Sequence, residues 1–237
     1  PEIHSKEGIE AVQYLQDLAE YQHPGAQSMQ WGETYKGMSD GLAYSTIAWP
    51  ACARYNNKPG NVAQNKLAYC VMPGSEVKGK ICHATMLPYS WAFIVSRYSK
   101  YPELAYLWAQ FNQSPQISAK AVLEDGGYFD PFRYNHFKDP EVLKAYTKAF
   151  MEVNLVNLSI SIPEIILTGG VEYMDLLDKE VQNALKGIKS ADKALADAAE
   201  AWQGVTERYG RKKQIEQWKY LKGYFPKSVH DAVARRA

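Results

Sequence analysis

The sequence predicts an α/β protein, and three observations carry that expectation. Three runs, residues 42–49, 66–72 and 91–95, are apolar or β-branched and of strand length. Around them, apolar residues recur at helical spacing behind Ser, Asp and Pro start signals. At 237 residues the chain is long enough for one large domain or two small lobes with cores of their own.

Ser5 is placed to cap a first helix, with Glu7 in its first turn, and Ile9, Val12, Leu15 and Leu18 form the stripe of a helix over about 6–21. His23-Pro24-Gly25 ends it, and a shorter helix over 31–40 closes on Gly41. The run 42–49 reads as a buried strand that must stop at Pro50, which has no N–H for a ladder. Residues 51–56 read as a helical turn, 66–72 as a second strand ended by Pro73-Gly74, 74–84 as a loop, and 91–95 as a third strand. Three helices then start with proline in the first turn, at Tyr101-Pro102-Glu103, Ser114-Pro115-Gln116 and Asp139-Pro140-Glu141, and Gly126-Gly127 closes the second. Tyr173, Leu177, Val181 and Leu185 mark a helix over 170–186. Leu195, Ala198, Trp202 and Val205 mark another over 191–209, capped by Ser190. Gly187 and Gly210 terminate these two. No repeat of fixed period is present, and residues 211–237 form a basic, aromatic extension, helical to about Tyr220.

Composition excludes several function classes. A net charge of +1 argues against a nucleic-acid binder, and the basic run at 211–213 reads as a solvated helix face. No apolar stretch approaches the roughly 18 residues of a membrane span. The opening Pro-Glu-Ile-His-Ser-Lys is not a signal peptide, and starting at the approach to a helix suggests a piece of a longer protein. Cys52, Cys70 and Cys82 form no C-x-x-C pair, so a structural zinc site is not expected, although Cys82-His83 with Cys70 offers an unspecific ligand trio. In an oxidising compartment Cys70 and Cys82 could pair, leaving Cys52 free, and the reduced state is equally compatible with the spacing. No G-x-S-x-G, H-E-x-x-H or P-loop occurs. Glu164, Glu172 and Asp175 offer the carboxylates of a carbohydrate-active enzyme, but Glu172 and Asp175 lie one helical turn apart on an ordinary soluble face. The 17 Tyr and 6 Trp suit stacking on sugar rings or bases, and equally suit core and surface filling.

Several segments, in order, resemble the family 1 extracellular solute-binding proteins, the class that includes maltose-binding protein. Glu7-Gly8-Ile9-Glu10-Ala11-Val12-Gln13-Tyr14-Leu15 is similar to the family's post-hinge helix, and Gly37-Met38-Ser39-Asp40-Gly41-Leu42-Ala43-Tyr44 to its turn into a strand. Lys66-Leu67-Ala68-Tyr69-Cys70-Val71-Met72-Pro73-Gly74 resembles the strand ending in Pro-Gly. Trp91-Ala92-Phe93-Ile94-Val95-Ser96-Arg97-Tyr98-Ser99-Lys100, followed by Pro102-Glu103, resembles the ligand-facing strand and the helix after it. Gly126-Gly127 with Pro131, Arg133 and Asp139-Pro140 is similar to a further family segment. So is Glu172-Tyr173 running into Asn183-Ala184-Leu185-Lys186-Gly187 and Ser190-Ala191-Asp192-Lys193-Ala194-Leu195. The resemblance covers about 5–206, with Tyr89-Ser90 standing where the family has a double glycine.

That resemblance implies a type II periplasmic-binding-protein fold, two α/β lobes joined by crossover strands, with much of the N-terminal lobe lacking from this chain. It places residues 1–68 and 138–206 in the C-terminal lobe and 69–137 in a piece returning to the N-terminal lobe. Residues 207–237 are then an extension, with hinges at 66–72 and near 131–139. It implies a monomer, periplasmic or extracellular, that binds a sugar or polyol in an interlobe cleft and delivers it to an ABC importer permease, with no cofactor, metal or catalytic group. A solute sensor signalling to a membrane partner is the alternative, favoured only by the basic extension. The ligand-binding candidates are Trp49, Tyr89, Ser90, Trp91, Arg133 and Tyr173, with Tyr128 and Phe129 as weaker ones. Aromatic rings would stack on the C–H faces of a sugar, and Arg133 would clamp a hydroxyl or carboxylate. Each has a competing role: Trp49 and Tyr173 in a core, Arg133 in a hinge salt bridge to Asp130 or Asp139.

Overall fold

The computed structural model describes residues 3–77, 79–83, 85–87, 92–124, 129–225, 227 and 230. In chain order its main elements are α1 (Lys6–Leu18), α2 (Trp31–Ser39), α3 (Ala51–Asn56), β1 (Ser75–Val77), β2 (Lys80–Cys82), β3 (Thr85–Leu87), α4 (Pro102–Asn112), α5 (Pro115–Leu123), α6 (Pro140–Tyr146), α7 (Lys148–Ser159), β4 (Ser161–Pro163), α8 (Gly170–Leu185), α9 (Ala191–Tyr209) and α10 (Arg211–Lys222). Helix starts follow the capping chemistry in the sequence. Ser5 Oγ accepts from the Gly8 N–H at 3.2 Å, Asp139 Oδ1 from the N–H groups of Glu141 and Val142, and Ser190 Oγ from Lys193 at 3.2 Å. Among the described residues no helix is long and apolar enough to cross a membrane.

The chain divides into two compact units. The first joins Pro1–Pro24 to Ile162–Ala237. Its core is the seam between α1, α8 and α9, where Val12, Ala184, Ala191, Ala194 and Leu195 are buried and Ile9, Leu177 and Val181 pack on them. Alanines on the facing helices let the backbones approach closely, and Gln16 Nε2 donates to the Ala184 carbonyl at 2.8 Å across that seam. Lys189 ties α8 to α9 by bridging Glu180 and Asp197.

The second unit is Gly25–Ser161. Its main core gathers Ala53, Val122, Val142, Tyr146 and Met151 from α3, α5, α6 and α7. Val122, Val142 and Met151 each contribute about 1.5–3 kcal/mol on full burial. A smaller cluster joins Tyr35 of α2 to Ala51 and Cys52 of α3. Between α6 and α7, Thr147 takes a positive φ of 69° and its side chain accepts from the Phe150 N–H, so one helical pattern is cut into two helices.

The three expected strands are where the structure departs from the sequence reading. Residues 42–49, 66–72 and 92–95 carry no ladder, and Trp91 lies outside the described residues. An extended backbone becomes a strand only when another segment satisfies its N–H and C=O groups. Around Met72 that role falls to side chains: Asn157 Oδ1 accepts from its N–H at 2.9 Å, and His83 Nδ1 lies 2.7 Å from its carbonyl. Leu42, Tyr44 and Ile47 are exposed, not buried as expected. The expected loop at 74–84 instead contains the antiparallel pair β1–β2, with Ser75 opposite Cys82 and Val77 opposite Lys80. A second two-stranded pair joins β3 and β4. Helix α4, though well started by Pro102, buries none of its residues.

Candidate functional site

In the first unit, the chain enters α8 through Thr168-Gly169-Gly170. Gly169 has φ +88°, and a Cβ there would lie 2.6 Å from Tyr209 Cε2 and 3.2 Å from Val205 Cγ1. A Cβ on Gly170 would meet the Ile165 carbonyl oxygen at 2.1 Å. Only glycine therefore lets this loop fold back on itself and press against the Tyr209 ring. Gln217 Oε1 accepts from both the N–H and the hydroxyl of Thr168, at 2.9 and 3.1 Å, while Gln214 Nε2 donates to the Thr168 carbonyl at 2.9 Å.

Tyr173 stands directly beneath. It is 5% exposed, its hydroxyl lies 2.7 Å from Thr206 Oγ1 and donates to Gln214 Oε1 at 3.1 Å, and its carbonyl accepts from Trp202 Nε1 at 2.7 Å. This expected ligand contact is thus an interior post between α8, α9 and α10. The loop it supports borders an open depression of about 770 Å³, lined by Glu164, Val171, Glu172, Met174, Asp175 and Tyr209 among others. Arg208 holds the Glu172 carboxylate at 2.6 Å. Carboxylates accept hydrogen bonds from hydroxyl groups, and a thioether and a phenol ring offer apolar contact.

In the second unit, Trp49 is 47% exposed at the end of the extended run, and its carbonyl accepts from the Cys52 N–H as α3 begins. Asp130 Oδ1 accepts from the Ala51 N–H at 2.7 Å, and burial pushes the Asp130 carboxyl up to about 6. The Tyr146 hydroxyl points at the carbonyls of Phe129 (2.9 Å) and Val122 (3.2 Å), and burial pushes it up to about 12. Arg133 donates to the carbonyl of Gln113, the residue that caps the C-terminus of α4, and lies over the Phe132 ring at 5.5 Å. The expected salt bridges from Arg133 to Asp130 or Asp139 are not formed. Asp130 is engaged with Ala51, and Asp139 caps α6. Nearby, His136 is buried with its Nε2 3.1 Å from Ser118 Oγ, and burial first, then Arg133, lowers its pKa.

Tyr89, Ser90, Trp91 and Tyr128 lie outside the described residues. Cys52 is buried, its thiol pushed up to about 11 by burial, with Asn56 Nδ2 3.0 Å from the sulfur. Cys70 is exposed with a free thiol, and the side chain of Cys82, the partner in the possible disulfide, lies outside the described residues. Among the described residues no cluster of His, Cys, Asp and Glu could hold a metal ion.

Residues 2–119 match the model of a family described as bacterial extracellular solute-binding protein. The chain belongs to this family. The solute-binding protein shares its fold with the maltose-bound MalE3 of T. maritima, at a TM-score of 0.68 and 16% identity, over 86% of this chain and 51% of that one. It therefore spans about half the length of that relative, and the α/β type II periplasmic-binding fold implied by its segments is shown. A comparison with curated proteins finds no match. Tyr209 and Met174 of this solute-binding protein escaped the sequence reading, Glu164 and Asp175 entered it only as an enzyme's carboxylates, and Glu172 entered it so and as the start of a family-like segment. The signal that could have found them is the double glycine before α8, a sequence that marks close backbone approach.

Proposed function

We propose that this solute-binding protein binds a sugar or polyol and delivers it, outside the cytoplasm, to the permease of an ABC importer. The observation that carries this reading is the family match over residues 2–119, and the maltose bound to the structural relative supports the ligand class. The depression at the start of α8 adds chemistry of the right kind. Asp175 and Glu164 would accept from solute hydroxyls, Tyr209 and Met174 would contact C–H faces, and Glu172 is kept in place by Arg208. Trp49 is a second stacking surface, and we retain Tyr89, Ser90 and Trp91 as contacts on the following segment. Arg133 and Tyr173 would act by positioning, the first through α4 and the second through the α8 loop.

The test is calorimetric titration and thermal shift with maltose, other oligosaccharides, monosaccharides and polyols. A ligand at one hundred times its Kd should stabilise the protein by about 2.7 kcal/mol. Asp175→Asn and Tyr209→Ala should each weaken binding about tenfold, for loss of a charge-assisted hydrogen bond or a ring contact. A panel in which no compound raises Tm would overturn the reading, and so would binding that neither substitution alters.

A further inference from the structure

Helix α10 differs from the other charged helices of this protein. In α1, α2, α7 and α9, a lysine is paired with an acid one turn on: Lys6–Glu10, Lys36–Asp40, Lys148–Glu152 and Lys193–Asp197. Helix α10 carries Arg211, Lys212, Lys213, Lys219 and Lys222 against the single acid Glu216, and none of these cations forms an ion pair among the described residues. The bias continues in the sequence. Residues 211–237 hold eight of the 27 Lys and Arg but two of the 26 acidic residues, so the rest of the chain is net acidic.

The helix is anchored by one face only. Gln214 is buried, and Gln217 reaches Thr168, so this side is spent on the first unit. Lys212, Ile215, Lys219 and Lys222 follow one another at spacings of three, four and three, a single stripe, and all four are exposed. Exposed Tyr220 and Tyr224 flank it, their hydroxyls 3.0 Å apart. A face made only for water would balance its bases with acids. This one sets three lysines against the single acid Glu216, beside an isoleucine and two exposed phenols, a composition that adheres to a polar–apolar boundary carrying negative charge.

We propose that the exposed face of α10 docks peripherally on an anionic lipid surface. The stripe supplies attraction to the headgroups, Ile215 and the two tyrosines reach the boundary, and the buried face keeps the helix attached to its unit. A neutral bilayer lacks the complementary charge and is not a partner.

The test is co-sedimentation of the 237-residue chain with vesicles of phosphatidylcholine alone and of equal parts phosphatidylcholine and phosphatidylglycerol. The chain should pellet with the anionic vesicles only, and less so as salt rises. The triple variant Lys212→Glu/Lys219→Glu/Lys222→Glu should lower vesicle partitioning at least about tenfold. The milder triple variant with Gln at these positions should fall between the two. Unchanged circular dichroism and Tm are expected of both, since all three side chains are in solvent. Equal pelleting with neutral vesicles would overturn the proposal, pointing to adsorption through apolar surface such as that of α4. So would no pelleting, an undiminished triple variant, or substitutions that spare vesicle binding yet abolish capture on an acidic polypeptide.

Discussion

Asp130 accepts a hydrogen bond from the Ala51 N–H, and burial sets its behaviour with pH. Its carboxyl is raised to about 6, so the folded protein holds the proton more tightly than the unfolded chain does. The stability from this group is fully present below the unfolded value near 4 and is lost as pH rises through about 6. Asp130→Asn should flatten Tm between pH 4 and 6 and stabilise the protein at pH 7 by about 2 kcal/mol, readable from denaturation across that range. Gly169 makes the opposite kind of prediction. Gly169→Ala combines a left-handed backbone with a Cβ 2.6 Å from the Tyr209 ring, so it should cost about 2 kcal/mol or more in urea unfolding. If the Tyr209 ring swings into the depression to make room, the solute binding proposed there should fall with it.

At the scale of elements, legibility followed locality. Caps and prolines act within four residues, so the starts of α4, α5, α6 and α9 were readable directly from Pro102, Pro115, Asp139-Pro140 and Ser190. Ser190→Ala should accordingly cost about 1 kcal/mol in chemical denaturation, through loss of the bond from the Lys193 N–H. Strands depend on a neighbour that sequence does not name. The run at 42–49 has the composition of a strand yet no ladder, while Ser75–Val77, with no apolar pattern, pairs with Lys80–Cys82 because a turn at Gly79 returns the chain. Helix α7, for which the sequence analysis names no start, was missed for another reason. Threonine at positive φ is a backbone state no sequence pattern advertises. The candidate site divided similarly: the exposure of Trp49 was legible from its position before Pro50, whereas Tyr209 comes to α8 only through the packing of α9.

For the molecule as a whole, apolar surface is distributed unevenly. Leu104, Leu107, Trp108 and Phe111 of α4 are each more than half exposed, and Phe93 meets the Trp108 ring edge-on at 5.3 Å in the same solvent-facing layer. Contiguous apolar surface of this kind binds hydrophobic dyes and promotes association. Leu107→Gln should leave stability within about 0.5 kcal/mol, since little is buried there, while lowering dye fluorescence and concentration-dependent scattering. A loss of Tm on that substitution would mean that Leu107 is covered.

The first unit is assembled from segments far apart in the chain: Gln16 bonds to Ala184 and His4 to Asp192, at separations of 168 and 188 residues. The second unit is one uninterrupted stretch. During synthesis the uninterrupted unit can therefore close while it is still tethered to the ribosome. Helix α1, made earlier, cannot bury its apolar stripe in this seam until α8 and α9 emerge. The helix translated ahead of every other described element is thus among the last to find its place.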